Sequence, residues 1–329
     1  MIKETSKNPS LRKSEYFQTP PEFYDLKKYY DSRTSHLGDS PNERHLKHYR
    51  DELLDDLNFN LNTITPSKKL SNLIIPIIGY CNLNCKYCTS FSPLVTKEKA
   101  SPKEVERDLL RMKSQGFLLR EISFEGGEPL LHPQILEFIE TARDTFPSTV
   151  IVILTNGTLL KNFEESFFKK LSSLNCKVII DNYFEENDFF SFKEIANKVN
   201  LSYEIHPCFS EGGYFFNLNL NPSTKSYSFE ENFRSFISCE KANKCITLLN
   251  HKLYTCGLAA YIFRLNEYFH MNYPDSGINI YEHDGGRIAQ FLARPCALCG
   301  YCNFPEEMHQ NYRLSAREKE EWIKESDKQ

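Results

Sequence analysis

Leu73 to Cys88 is the stretch LIIPIIGYCNLNCKYC, an apolar run followed by three cysteines at the spacing C-x3-C-x2-C. The run is rich in β-branched residues, which predicts a buried strand. Asn82 and Asn84 favour turns, so we expect the cysteines on a loop that leaves the carboxyl end of this strand. The rest of the chain is predicted to be arranged around that loop.

Three thiolates on one short loop suit an iron–sulfur cluster. A cube of four irons takes one ligand per iron, so Cys81, Cys85 and Cys88 would leave one iron open for chemistry. A structural zinc site is the alternative, although zinc usually takes four ligands from two paired clusters. A disulfide framework is disfavoured because the chain has eleven cysteines, an odd number, and clustered cysteines without a secretory leader favour metal.

Length, charge and hydropathy restrict the remaining possibilities. With 329 residues, of which 40% are hydrophobic, the chain suits a main domain with appendages. The net charge of −4 favours neither nucleic acid nor an anionic membrane as a partner. No apolar run reaches membrane-spanning length, and the N-terminus lacks the apolar core of a secretory signal. We therefore expect a cytoplasmic protein with no membrane partner.

Strands and helices alternate from Leu73 to about residue 205. Ser101 and Pro102 predict the start of a helix that ends near Ser114. Later strands are predicted at 120–124, 149–154, 177–180 and 201–205, and later helices at 132–146, 163–174 and 189–199. Continuous apolar strands between helices indicate an α/β fold with a parallel sheet covered by helices. Five or six such units are too few for a closed eight-stranded barrel.

Two further loops follow predicted strands. Glu125-Gly126-Gly127-Glu128-Pro129 comes directly after Phe124, and its two glycines leave room for backbone to approach a ligand. Thr155-Asn156-Gly157 follows the next strand, and Asn-Gly by itself indicates a turn. Ligands of parallel α/β folds bind at the carboxyl ends of strands, so we expect both loops beside the cysteine loop.

Together these motifs resemble those of the radical S-adenosylmethionine superfamily, with Tyr87 as the aromatic residue before the third cysteine. The resemblance implies an open partial (β/α)6 TIM-like barrel, a 4Fe-4S cluster on Cys81, Cys85 and Cys88, and S-adenosylmethionine chelated to the open iron. The cluster would cleave S-adenosylmethionine to a 5′-deoxyadenosyl radical, which takes a hydrogen atom from the substrate. A reductase such as a flavodoxin or ferredoxin would supply the electron. The residues implied to contact S-adenosylmethionine are Tyr87, Gly126, Gly127, Glu128, Thr155 and Asn156.

A second set of cysteines lies toward the C-terminus. A predicted hairpin separates Cys245 from Cys256, and two more C-x2-C spacings follow at Cys296, Cys299 and Cys302. This pattern resembles the twitch half of SPASM/twitch auxiliary-cluster domains, which implies a second 4Fe-4S cluster for electron transfer. Its implied ligands are Cys245, Cys256, Cys299 and Cys302, with Cys296 as an alternative ligand. A zinc ribbon made from the same thiolates is the other possibility.

Polar residues at the ends of later strands face the same mouth of the predicted barrel. Asp181, Asn182 and His206 are candidates for contact with cofactor or substrate, although a lone histidine is more often structural. Cys208 is the candidate catalytic residue, because a thiol there could give a hydrogen atom to a substrate radical. Cys176 is expected to be a small buried apolar residue.

The chain is predicted to have four segments. Residues 1–70 would form an aromatic and polar extension with a helix at 42–57, and residues 71–215 the barrel. Residues 216–311 would form the auxiliary iron–sulfur domain, and residues 312–329 a charged, solvated C-terminal helix.

The predicted function is that of a radical S-adenosylmethionine oxidoreductase. Its substrate would be a peptide or a small molecule such as a sugar-like compound. The reaction would be a dehydrogenation, a cross-linking or an epimerisation. The alternatives are a non-catalytic iron–sulfur electron carrier, which would not need the Gly126-Gly127 loop, and a zinc-stapled binding protein. Nucleic acid is disfavoured as a partner because the chain has no basic excess and no RNA-binding motif.

Overall fold

The computed structural model describes residues 65–209, 215–216, 218–223, 232–233, 236, 239, 241–242, 245–302 and 309–324. The helix predicted at 42–57 and most of the predicted N-terminal extension lie outside these residues. Where the chain is described, no helix is both long and apolar enough to cross a membrane.

The described elements follow each other along the chain as expected for an α/β fold. The strands are β1 (Lys69–Leu70), β2 (Leu73–Ile78), β3 (Leu118–Leu119), β4 (Glu121–Gly126), β5 (Val150–Thr155), β6 (Cys176–Asn182), β7 (Tyr203–Pro207), β8 (Phe215–Phe216), β9 (Ile246–Leu249), β10 (Lys252–Tyr254), β11 (Ile278–Asn279) and β12 (His309–Gln310). The α-helices are α1 (Pro102–Ser114), α2 (Ile135–Thr145), α3 (Glu165–Ser173), α4 (Phe190–Lys198), α5 (Gly257–Phe269) and α6 (Gly285–Leu292). Short 3-10 turns include Ala297–Tyr301 and Lys319–Glu321.

One sheet organises the described residues. Its eight strands lie in the order β11-β10-β9-β2-β4-β5-β6-β7. The strands from β9 to β7 in this order are paired in parallel, whereas β10 and β11 add an antiparallel edge. The predicted α/β class and parallel-rich partial barrel are confirmed.

Successive side chains of each strand point to opposite faces of the sheet, and the helices cover one of these two faces. Ile75, Ile122 and Ile151 point to the covered face, where they join a core with Leu109 of α1 and Phe138 of α2. The predicted start of α1 is also confirmed, since Ser101 is its N-cap and Pro102 its first residue. The carboxyl ends of β2, β4, β5, β6 and β7 are left at one edge, where the predicted site residues lie.

The sheet extends further along the chain than the predicted barrel. Within residues 71–215 it takes five parallel strands, and the next one in space is β9, where Leu73 pairs with Ile246. The hairpin of β9 and β10, which joins Cys245 to Cys256, therefore belongs to the same sheet as the cysteine loop. The predicted domain boundary near residue 215 does not interrupt the sheet.

The C-terminal segment differs from its prediction. A charged, solvated helix was expected from residue 312, but the described part, 312–324, holds only a 3-10 turn at Lys319–Glu321. Trp322 is completely buried and packs on Phe91 and Phe269. The prediction was wrong because these contacts come from distant parts of the chain, whereas the local sequence is mostly charged.

Candidate functional site

The cysteine loop is held against the Gly126-Gly127 loop by backbone contacts. The Gly127 N–H donates to Ile78 O at 2.7 Å, and the Glu128 N–H donates to Tyr80 O at 3.1 Å. A Cβ on Gly126 would lie 1.9 Å from Ile78 O, and one on Gly127 would lie 1.9 Å from Tyr80 O. The glycines are therefore needed here so that the two loops can approach each other.

Cys81, Cys85 and Cys88 are brought together at the end of β2. Cys85 is buried, and the other two are half-buried. Cys81 Sγ accepts from the Leu83 N–H at 3.4 Å and from Asn156 Nδ2 at 3.7 Å, and Cys88 Sγ lies 3.2 Å from Ser90 Oγ. Cys81 and Cys88 both lie close enough to Cys85 to affect its pKa, so the three thiols are neighbours at the end of β2.

The electrostatics of Cys81 and Cys85 fit a bound cation. Burial, together with the nearby Glu128 and Cys88, raises the pKa of Cys81 to about 12. Burial and the two other thiols also raise the pKa of Cys85. The thiolates needed as metal ligands are thus favoured only when positive charge is supplied, as by the irons of a cluster.

A single zinc ion in a structural site usually takes four ligands, whereas this loop supplies three cysteines. A cube of four irons places each thiolate on a different iron, so its ligands are spread more widely. Three sulfurs on one loop match that requirement.

Glu128 is the centre of a buried polar network. Its carboxylate accepts from the Leu130 N–H at 3.0 Å, from Thr155 Oγ1 at 2.7 Å and from the Asn156 N–H at 2.9 Å. Burial raises the pKa of Glu128 to about 7, while these three donors act in the opposite direction. The predicted cofactor residues Glu128, Thr155 and Asn156 therefore form one unit between β4 and β5.

A second polar chain joins that unit to the cysteine loop. Asn156 Nδ2 donates to Asn82 Oδ1 at 3.0 Å, and Asn82 Nδ2 donates to Thr158 Oγ1 at 2.7 Å. Tyr87 takes a left-handed conformation, with φ of 63°, and Lys86 Nζ lies 5.1 Å from the centroid of its ring. All predicted S-adenosylmethionine contacts are thus gathered around the three cysteines.

The ends of β6 and β7 contribute a mixed group of titratable side chains. His206 Nδ1 lies 3.1 Å from Asp181 Oδ1. Cys208 is buried, and burial together with the Asp181 carboxylate raises its thiol pKa to about 12. Glu125, at the end of β4, has a pKa raised to about 8 by burial and by Asp181. The thiol of Cys208 is therefore kept protonated beside a carboxylate.

The C-terminal cysteines form a second group. Cys296 Sγ and Cys299 Sγ lie 3.7 Å apart. The pKa of Cys256 is raised by burial and by Cys296, Cys239 and Cys302, which shows that these sulfurs are neighbours. Cys296, considered only as an alternative ligand from the sequence, is thus in direct contact with this group. Cys176 lies apart from it, buried in the sheet core as expected.

Two residues at the site have no signal in the sequence motifs. Trp322 Nε1 donates to Cys88 O at 3.0 Å, and Arg264 of α5 donates to the carbonyl of Ser90. Arg264 also forms an ion pair with Glu98. No local pattern could have identified either residue, because each contacts a part of the chain more than 150 positions away.

Comparison with known proteins agrees with this arrangement. Residues 75–182, which include both cysteine and glycine loops, match the family model described as "Radical SAM superfamily". The chain is 29% identical over 211 residues to an S-adenosylmethionine-dependent nucleotide dehydratase from Lacinutrix mariniflava, covering 58% of this chain and 42% of that protein. It is 35% identical over 86 residues to a GTP 3′,8-cyclase from Chlorobaculum tepidum, covering 26% of each chain. This chain thus matches less than half the length of either curated relative.

A similar solved structure is described as BtrN in complex with AdoMet and 2-DOIA. The identity is 17% and the TM-score is 0.47, over 77% of this chain and 98% of that chain.

Proposed function

Because this chain carries a radical SAM superfamily domain at residues 75–182, we propose that it is a radical S-adenosylmethionine enzyme. Cys81, Cys85 and Cys88 would hold a 4Fe-4S cluster, and S-adenosylmethionine would bind at the iron that no cysteine reaches. When bound, the cluster supplies the electron that cleaves S-adenosylmethionine to methionine and a 5′-deoxyadenosyl radical.

The observation that carries this proposal is the backbone pairing of the cysteine loop with Gly126-Gly127. The two hydrogen bonds hold this side of the cysteine loop, and a Cβ on either glycine would overlap its backbone. An electron carrier with four protein ligands does not require a glycine loop beside three cysteines. The arrangement therefore favours a catalytic cluster over a carrier.

The residues around the cysteines would bind and orient S-adenosylmethionine. Glu128 holds Thr155 and Asn156 in place, so the end of β5 is aligned with the cysteine loop. Asn156 also donates to Cys81 Sγ, which would stabilise the thiolate as a ligand. Tyr87 and the two glycines complete the proposed cofactor contacts.

We further propose an auxiliary 4Fe-4S centre that accepts or relays an electron. Its candidate ligands are the grouped Cys256, Cys296 and Cys299, together with either Cys302 or Cys245. Cys296 Sγ and Cys299 Sγ, now 3.7 Å apart, would have to separate in order to bind different irons of a cube. A zinc ion is the second candidate, because two thiolates on a tetrahedral zinc lie about 3.8 Å apart. Metal analysis separates the two.

A peptide or a sugar-like molecule is the proposed substrate. The curated relatives are named for nucleotide chemistry, and here the carboxyl groups of Glu125 and Asp181 lie near each other at the mouth. Such groups can form hydrogen bonds with the hydroxyl groups of a sugar or the amide groups of a peptide. A flavodoxin-like or ferredoxin-like reductase would supply electrons.

Cys208 is proposed to return a hydrogen atom to the substrate radical. The S–H bond would break and the substrate C–H bond would form. The resulting thiyl radical would be reduced by one electron from the auxiliary centre and would take one proton from water. Its protonated state beside Asp181 suits this role. If Cys208→Ala left product stereochemistry and turnover unchanged, Cys208 would not be the hydrogen-atom donor.

Anaerobic reconstitution tests the main proposal. Iron, sulfide and zinc are counted in wild type, in a triple Ala variant at Cys81, Cys85 and Cys88, and in Cys176→Ala as a control from the core. Dithionite and S-adenosylmethionine are then added and 5′-deoxyadenosine is assayed. We expect about eight irons and cleavage in wild type and control, and about four irons without cleavage in the triple variant.

Other results would change the conclusion in defined ways. Four irons with one zinc in wild type would identify the auxiliary centre as a structural zinc site. Iron uptake without any 5′-deoxyadenosine would favour the electron carrier. No iron at all would favour the zinc-stapled binding protein.

A further inference from the structure

The C-terminal strap, defined here as residues 312–323, is paired with the cysteine loop. The Lys86 N–H donates to Arg313 O at 2.8 Å, and the Ser315 N–H donates to Asn84 O at 2.8 Å. The Asn84 side chain adds a third hydrogen bond, from Nδ2 to Ser315 O at 2.9 Å. The strap thus binds the backbone on both sides of Cys85.

Trp322 anchors the strap on the next cysteine. Its Nε1–H donates to Cys88 O at 3.0 Å, and its ring packs edge-on against Phe91 with centroids 6.0 Å apart. The side chain is fully buried. The strap therefore supports the backbone at two of the three candidate ligand positions, whereas the glycine loop contacts Ile78 and Tyr80.

The strap also has an internal framework. The buried carboxylate of Glu321 accepts from Ser315 Oγ and from the Ala316 N–H, both at 2.7 Å. This network fixes the distance between the paired segment and Trp322. The two attachments to the cysteine loop are consequently formed by one folded unit.

At its other end the strap crosses the mouth of the sheet. Tyr312 packs edge-on against Phe184, with ring centroids 4.9 Å apart, and lies near Tyr183. Both partners directly follow β6, whereas the cysteine loop follows β2. The strap therefore spans from one side of the cofactor mouth to the other.

From these contacts we propose that the strap is part of the first cluster site, and that a docked strap and a bound cluster stabilise each other. Trp322 acts as a positioning residue that holds the Cys88 backbone. The proposal rests on the proposed cluster at Cys81, Cys85 and Cys88. Because linkage is reciprocal, losing the cluster must loosen the strap by the same factor as losing the strap weakens the cluster.

Limited trypsin digestion measures strap docking in the full-length protein. Arg313 and Arg317 are exposed, but cleavage requires the strap to open, so its rate follows the open population. The proteins are wild type, the triple cysteine variant, Trp322→Phe and Tyr281→Phe. The last is a matched control, since it removes one O–H donor to Asp108, far along the chain from the cysteine loop.

We expect cleavage at Arg313 and Arg317 to be at least tenfold faster in the triple variant than in iron-loaded wild type. Trp322→Phe keeps an aromatic ring but loses one hydrogen bond, so we expect about fivefold faster iron loss to a chelator and faster cleavage. Tyr281→Phe should match wild type in both measurements. Ser315→Pro, which removes the donor to Asn84, provides a second strap variant with the same expected direction.

Equal cleavage rates in iron-loaded wild type and in the triple variant would overturn the proposal. Wild-type iron retention in both Trp322→Phe and Ser315→Pro would also overturn it. A wild type that takes up no iron at the first site is a failure of the proposed cluster, and the iron count distinguishes that case from an independent strap.

Discussion

Gly127 determines how closely the glycine loop can approach the backbone of Tyr80. Its Cα faces Tyr80 O, where any side chain atom would overlap. Gly126 has a φ of 141°, a conformation that L side chains rarely adopt, and it faces Ile78 O. Neither residue can be replaced without moving the cysteine loop.

Gly127→Ala should disrupt the first cluster site. The added methyl group would force Tyr80 and Cys81 away, and we expect a loss of stability of about 3 kcal/mol and loss of about four irons. Gly286→Ala is the matched control, because Gly286 is exposed in α6 and a Cβ there would meet only the Asp284 side chain, at 3.1 Å. Iron counting and urea unfolding compare the two, and a full iron content in Gly127→Ala would contradict this account.

Glu128→Gln should change how stability depends on pH. The pKa of Glu128 is about 7 in the fold, raised by burial from 4.5, so the unfolded chain loses this proton first. The contribution of Glu128 to the free energy of unfolding should therefore fall by about 3 kcal/mol between pH 4.5 and 7, then stay level. Glu125, whose pKa is raised to about 8, adds a separate fall over the same range and up to pH 8. Glu128→Gln removes only the contribution of Glu128, whereas the exposed Glu106→Gln retains both. The unfolding free energy is measured by urea titration at each pH. The same pH dependence in wild type and Glu128→Gln would contradict the raised pKa of Glu128.

Ser90→Ala should lower the reduction potential of the first cluster. Ser90 Oγ lies 3.2 Å from Cys88 Sγ, and a donor to a ligating sulfur favours the reduced, more negative state. Loss of one such bond corresponds to roughly 40 mV for a one-electron couple. The exposed Thr89→Ala is the control, and anaerobic redox titration followed by electron paramagnetic resonance gives both values. A shift in the positive direction would contradict the role given to Ser90.

At the scale of elements, α5 connects the two groups of cysteines. It begins at Gly257, directly after Cys256, and Arg264 reaches from its middle to Ser90 and Glu98 near the first cysteine loop. The Arg264 side chain is only 1% exposed. Removing one partner of its ion pair with Glu98 should therefore lower the stability of the fold strongly. One helix therefore contacts both groups of cysteines.

Arg264→Ala should cost about 3 kcal/mol of stability, because it leaves Glu98 and the Ser90 carbonyl without their partner. In a double-mutant cycle with Glu98→Ala, we expect a coupling energy above about 1 kcal/mol. The exposed pair of Arg107 and Glu104, with side chains 65% and 54% exposed, should couple by less than about 0.5 kcal/mol. Equal coupling in both pairs would show that the Arg264 contact is not buried in solution.

Elements with local signals were predictable from the sequence, and those formed by distant contacts were not. The bounds of α1 follow from Ser101, Pro102 and the stop before Gly116, which act within a few residues. The burial of Trp322 depends on Phe91 and Phe269, which no nearby residue indicates. The cysteine and glycine loops were predicted because their motifs are local. The role of Arg264 was not predicted because its partners lie far away in the sequence.

For the whole molecule, the continuous sheet makes the barrel and the hairpin of β9 and β10 one structural unit. Leu253 and Ile246 of the hairpin belong to the same core as Ile75 and Leu109. This union could not be predicted, because β2 and β9 are separated by more than 160 residues and alternation alone does not specify such pairing. The auxiliary cysteines are therefore built directly onto the edge of the barrel sheet.

Leu253→Ala should destabilise both parts together. Its side chain is fully buried, so we expect a loss of about 3 kcal/mol in a single cooperative transition. Leu118→Ala, at a position 59% exposed, should change stability by less than about 0.5 kcal/mol. Urea unfolding followed by circular dichroism tests this, and two separate transitions would indicate independent domains.

Trp322 is the chain's only tryptophan, and its indole is hydrogen-bonded to the carbonyl of Cys88. Iron–sulfur clusters absorb in the near ultraviolet where indole emits, and transfer of excitation energy between them falls steeply with distance. A cluster on Cys88 would quench this fluorescence strongly. The protein thus contains its own optical reporter, by which assembly of the first cluster and its destruction by air can be followed continuously without any label.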